Sequence, residues 1–269
     1  MVKKKEEKEL AQGTTTELAQ VALTEAEQKQ MYGDMEQEDL KMPRLVVLEG
    51  LSPEVSDGLG KPGDFFIKGL NMNLGQDGLE IVVLMRQKTR MKWNDLKEGG
   101  GIACKADDGK FGVGDPGGAC RACPMQAWAG REKPKCDLYE NVIVLLPKHP
   151  DLPPVALSGS RARLSKFRDF NTMLEVHKMK RRPLFDKVYI ATSVAKSNPQ
   201  GAKYHIINFT ANADNALLPA EAIAANYDIF KQMSGKPVTV DQDIPEGLEK
   251  PSTPVGTYDS GAGEGDVPF

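Results

Sequence analysis

Two early runs of the chain alternate apolar and polar residues with the period of two expected of half-buried strands. They cover residues 64–74 and 79–93 and are joined by Gly75-Gln76-Asp77-Gly78. Glycine and aspartate suit a tight reversal, so the pattern predicts a β-hairpin. Residues 141–146 (NVIVLL) predict a third strand, with a short return through 155–157. The period then lengthens. Leu164, Phe167, Phe170 or Asn171, and Leu174 share one face of a helix from 161 to about 179, with Ser160 available as its cap. Strands follow at 187–196 and 203–210 around the turn Asn198-Pro199-Gln200-Gly201. A last helix covers 219–233, with Pro219 in its first turn and Gly235 just past its end.

This order is strand, strand, strand, helix, strand, strand, with an insertion at 95–140 after the second strand. It is the order of the OB-fold, a five-stranded Greek-key barrel used by many nucleic-acid binders. The predicted class is therefore β-rich with two or more helices: an OB-like five-stranded barrel over 43–240. The flanks lack strand patterning. Residues 1–42 are rich in Glu, Gln, Lys and Thr, with an amphipathic helix predicted over 17–32, and read as an acidic flexible arm. Residues 241–269 are rich in Pro, Gly and acids and read as a disordered acidic tail.

Charge sharpens this division. The chain of 269 residues carries −3 overall, but 1–42 hold −4, 241–269 hold −6, and the body between them is +7. A basic body between acidic ends has a field suited to polyanions. No stretch approaches the roughly 20 apolar residues of a membrane-spanning helix. The Lys-rich start leads into no apolar signal region, so a cytoplasmic protein is expected.

The four cysteines lie close together: Cys104, Cys120, Cys123 and Cys136. Two thiolates at C-x-x-C spacing can take two corners of a tetrahedral zinc site, with Cys104 and Cys136 supplying the others. The Gly-rich loop around them has little to bury, and a metal would supply its missing core. One structural Zn(II) is the expected cofactor, since four thiolates leave no open position for chemistry. Trp128 is expected to pack over this loop. The alternatives are two disulfides, for which nothing suggests the necessary secretion, and a thioredoxin-like redox pair, which lacks its βαβ context.

Sorted by parity, residues 79–93 put Leu79, Ile81, Val83 and Met85 on one face, and Arg86, Lys88, Arg90 and Lys92 on the other. Four cations in a row suit a phosphate backbone, or alternatively a solvated edge defended by charge. A second basic cluster contains Arg161, Arg163, Lys166 and Arg168, followed by Lys178, Lys180, Arg181 and Arg182 at the helix end. Non-specific single-strand binders also stack bases on aromatic rings. Candidates are Trp93, Phe66 beside Lys68, Tyr189 and Tyr204. The histidines are scattered and no H-E-x-x-H, P-loop or G-x-S-x-G is present, so no enzyme is predicted.

The chain ends Glu264-Gly265-Asp266-Val267-Pro268-Phe269. This resembles the Asp-Ile-Pro-Phe tip of bacterial single-stranded DNA-binding proteins, whose phage counterparts also end in acidic tails with a terminal Phe. A zinc-bearing core with an acidic tail is similar as well to the helix-destabilising proteins of T-even phages, which use a histidine among their ligands where this chain offers four cysteines. The resemblance implies a protein that binds and protects single-stranded DNA in replication, recombination or repair, in the host cytoplasm if viral. It implies that Asp266, Val267, Pro268 and Phe269 recruit partner proteins. The competing expectation is a zinc-ribbon transcription or polymerase accessory factor whose knuckle touches protein.

Overall fold

In the computed structural model the chain divides into Met1–Lys41 and Met42–Phe269. The described residues are 42–240, apart from 96–99, 131, 161–162, 199, 202, 213–215, 236–237 and 239. The expected arm at 1–42 and tail at 241–269 thus lie outside them, save Met42. Among the described residues the elements are β1 (Arg44–Val47), α1 (Pro53–Ser56), β2 (Phe65–Lys68), β3 (Met72–Gly75) and β4 (Leu79–Trp93). The insertion supplies β5 (Ile102–Ala106), β6 (Phe111–Gly114) and β7 (Gly118–Ala119). Then come β8 (Cys136–Leu145), β9 (Val155–Ser160), α2 (Leu164–Met179), β10 (Val188–Ser197), β11 (Lys203–Ala211) and α3 (Ala220–Met233).

The chain is β-rich, as its alternation predicts, but its described residues build a large mixed sheet of eleven strands instead of five. The order is β3-β2-β1-β9-β8-β4-β5-β6-β7, with β10 joined to β4 and β11 to β10. All pairs are antiparallel except β1 with β9. β4 is the spine. One edge meets β8 from Val82 to Lys92; the other meets β10 over Leu79–Val82 and β5 over Arg90–Trp93.

Two sequence expectations change here. The predicted hairpin of 64–74 with 79–93 does not form, because the first run folds on itself: Gly69 (φ +91°) and Asn71 (φ 50°) reverse the chain, and β2 pairs with β3. Left-handed backbone of this kind ends a strand. Ser160 closes β9 rather than capping α2, whose N-cap is Arg163 without a side-chain cap bond.

Two apolar layers flank the spine. The first gathers Leu45, Phe65, Ile81, Val83, Val144 and Leu157 under Phe167, Phe170 and Leu174 of α2. Phe170 stacks on Phe209 with ring centroids 4.2 Å apart. Gly159 is required beneath the helix, because a Cβ there would collide with the Phe167 ring. The second layer holds Val82, Leu84, Ile143, Ala156 and Phe185, covered by Ile223, Ile229, Phe230 and Met233 of α3. Past α3, the Gln87 side-chain amide takes both backbone groups of Val238, its Nε2 donating to the carbonyl (2.9 Å) and its Oε1 accepting from the N–H (3.0 Å).

A β-bulge in the spine decides which way the basic residues face. Pairing runs Val83↔Val144 and then Met85↔Ile143, so Leu84 is an extra residue. Beyond it Arg86 lies opposite Val142, a member of the first layer. Directly paired residues share a face. Arg86, Lys88, Arg90 and Lys92 therefore continue the side of Ile81 and Val83, where simple parity sets them opposite.

Candidate nucleic-acid interface and metal centre

The four bases of β4 divide into two pairs with different neighbours. Glu140 of β8 lies directly across from Lys88, is 3% exposed, and pairs with both Lys88 (3.2 Å) and Arg86 (3.6 Å). A carboxylate this buried depends on its cations. Arg90 and Lys92 lie farther out, where β4 is flanked by β5 and β8. The residues paired with Lys92 are Cys104 on one side and Cys136 on the other. Lys92 also reaches Asp115, with Nζ 3.1 Å from the carboxylate.

Cys120 and Cys123 arrive from the opposite side of the insertion, in a 3-10 turn after β7 that the Cys123 N–H closes onto the Cys120 carbonyl at 3.1 Å. All four cysteines are free and line one pocket, together with Arg90, Lys92, Gly112, Gly117 and Gly118. Gly112 makes room for them, since a Cβ there would stand 2.8 Å from the Cys104 Sγ. Burial pushes the Cys120 and Cys136 thiols up from the ordinary range, and the Arg90 guanidinium works against it. Among the described residues no three His, Cys, Asp or Glu side chains stand in ready metal-holding geometry. The all-sulfur donor set and its convergence on one glycine-lined pocket nonetheless fit a thiophilic cation.

Half of the second basic cluster has carboxylate partners. Arg163 pairs with Glu49, which also accepts the His205 backbone N–H (3.0 Å). Lys166 pairs with Asp169 (3.2 Å), and Lys68 with Glu54 (2.9 Å). Arg168 is exposed; Arg161 lies outside the described residues. At the helix end Lys178 pairs with Glu175 and Arg182 with Asp186.

The aromatic candidates separate clearly. Tyr189 is a correction: it is 2% exposed, set edge-on to Phe170, and offers no face to a base. Its hydroxyl meets His177 Nε2 at 2.6 Å, and His177 Nδ1 stands 3.1 Å from Asp186. Burial, with the Asp186 charge nearby, pushes the Tyr189 phenol up to about 12. Phe66 is likewise buried. Tyr204 is half-buried opposite the exposed Lys196, and Trp93 is half-buried opposite Ile102 with its indole N–H buried and unpartnered. Trp128 does not pack over the thiol loop but is 67% exposed. Sequence reasoning passed over Phe111 and Val113, which are 63% and 77% exposed on β6. The Phe-Gly-Val-Gly alternation after Asp108-Gly109 carries their signal, both apolar side chains on one face and both glycines on the other. Asp266, Val267, Pro268 and Phe269 lie outside the described residues.

Among the described residues no helix is long and apolar enough to cross a membrane. A family model described as Pam3 phage gp34-like protein matches residues 11–238. No curated protein and no solved structure matches the chain.

Proposed function

The chain belongs to the Pam3 phage gp34-like protein family, and we propose that this phage protein binds single-stranded DNA through an OB-like body. The observation that carries the reading is connectivity. β4, β8 and β9 run as a meander, α2 follows, and β10–β11 return with β10 against the far edge of β4. That is the OB order of three strands, helix and two strands, with β4 as its first strand. The departure is that β1, not β11, lies parallel beside β9. On this assignment the cysteine insertion follows the first barrel strand, one strand earlier than the sequence suggests. The two loops with which OB-folds hold oligonucleotides are then the insertion and the 198–201 turn.

Lys88, Lys166 and Arg168 are the phosphate contacts of this reading, Arg86, Arg161, Arg163 and Lys68 are its further basic candidates, and Tyr204 and Trp93 are its stacking rings. Cys104, Cys120, Cys123 and Cys136 would hold one zinc ion, which supplies a structural cross-link and no chemistry. Asp266 to Phe269 would recruit replication or recombination proteins.

The test is a titration with oligo-dT, duplex and RNA of equal length across a range of salt. Single-stranded DNA should bind tightest. Lys88→Gln and Arg168→Gln should each lower the slope of log affinity against log salt by about 0.7, the value per phosphate on a single strand. Equal binding to duplex, or affinity indifferent to salt, would reject the proposal. The exposed Phe111, Val113 and Trp128 favour a second reading, in which the insertion faces a polymerase or transcription protein; capture of such a protein that survives excess oligo-dT would support it.

A further inference from the structure

We infer that Arg90 and Lys92 are the counter-charge of the four-cysteine centre and not part of the phosphate-binding surface. This rests on the reading that the cysteines hold a metal. The observation is a row of three residues across three strands. Lys92 on β4 is paired with Cys104 on β5 and with Cys136 on β8, so its stem stands between two of the four sulfur donors on the same face. Two residues along β4, Arg90 lies between Ala106 and Leu138, and it lines the same pocket as all four cysteines. The Lys92 side chain is 18% exposed, and its bond to Asp115 fixes the β6–β7 turn that leads to Cys120.

The electrostatics demand such groups. A divalent cation with four thiolates carries a net charge of −2, and a half-buried pocket pays for that charge through lost hydration. Arg90 in the pocket and Lys92, whose ammonium also bonds the exposed Asp115 carboxylate, offset it. Lys105 does not face this way, being opposite Val113 on the reverse face of β5 and paired with Asp107 at 2.9 Å, while the Asp108 charge acts on Cys120 with the opposite sign and adds to the demand for cations. Four consecutive bases on one strand therefore have two separate explanations. Arg86 and Lys88 flank the buried Glu140, with the Lys88 side chain 56% exposed and still open to a phosphate, while Arg90 and Lys92 line the cysteine pocket.

The experiment measures zinc content and the rate of zinc release to excess chelator for the full-length protein. Wild type should hold one zinc. The double variant Arg90→Gln, Lys92→Gln should release it about tenfold faster or more, the usual scale for removing groups around the ligand shell. The charge-preserving variant Arg90→Lys, Lys92→Arg should release zinc at close to the wild-type rate, because the charge beside the sulfurs is kept. Lys88→Gln should release zinc at the wild-type rate while changing the salt slope for oligo-dT. Once zinc-loaded, the Gln double variant should keep that slope. Wild-type release from the Gln double variant, or equally fast loss from the charge-preserving one, overturns the inference while the metal reading stands. Wild-type protein without zinc removes the metal reading itself. If the double variant does not fold, the single variants Arg90→Gln and Lys92→Gln decide by the same rates.

Discussion

Tyr189 holds its proton more tightly in the folded protein than in the unfolded chain, and this has a signed consequence. Its phenol is pushed up to about 12 by burial and by Asp186. The stability linked to the neutral phenol is complete below the ordinary tyrosine value near 10 and is lost as pH rises through about 12. Urea melts across that window should show wild type weakening more steeply than Tyr189→Phe. At neutral pH the same variant should lose about 1 kcal/mol for the bond to His177. Parallel alkaline profiles would show that this phenol is not the responsible group. The sequence marks Tyr189 as a surface aromatic in phase with Lys187. What it lacks is the partner, because His177, itself held by Asp186, reaches the hydroxyl only once α2 has folded back over the strands.

Among elements, β4 shows why alternation was legible and facing was not. The long run from 79 to 93 identifies a strand without ambiguity, and the glycine-rich insertion with its C-x-x-C is equally plain. But Ile81-Val82-Val83-Leu84-Met85 is apolar throughout, so no period reveals which of its residues is the extra one. Only pairing with β8 locates the bulge at Leu84, and the facing of all four bases follows from it. β1 was missed for a related reason: four residues after Pro43 are too short to display a period. Deleting Leu84 should leave every later partner of β4 in place and cost about 2–5 kcal/mol, as for loss of a buried leucine side chain. Deleting Gln87 should instead turn Lys88, Arg90 and Lys92 to the other face and abolish zinc retention. Denaturant melts and metal content distinguish the two; a Leu84 deletion that loses zinc as readily as the Gln87 deletion would contradict this register.

For the whole molecule, the charge partition sets residues 241–269 against the proposed DNA surface. On the proposed function, a −6 segment joined to a +7 body would compete with DNA for the same cations. Removing residues 241–269 should strengthen oligo-dT binding, most at low salt where screening is weakest. Removing Pro268 and Phe269 alone should leave DNA affinity unchanged and abolish recruitment of replication partners. A truncated protein that binds oligo-dT no better at low salt would show the tail to be electrostatically inert. The parallel pairing of β1 with β9 acts on another timescale. Arg44 and Ala156 are neighbours in the sheet although 112 residues separate them in the chain. A ribosome adding about 5–20 residues per second takes roughly 6–20 s to cover that interval. Until then Arg44 and Leu45 have at most β2 on one edge and lack their β9 partners on the other, so a nascent chain presents an open strand edge until residues 156 and 157 emerge.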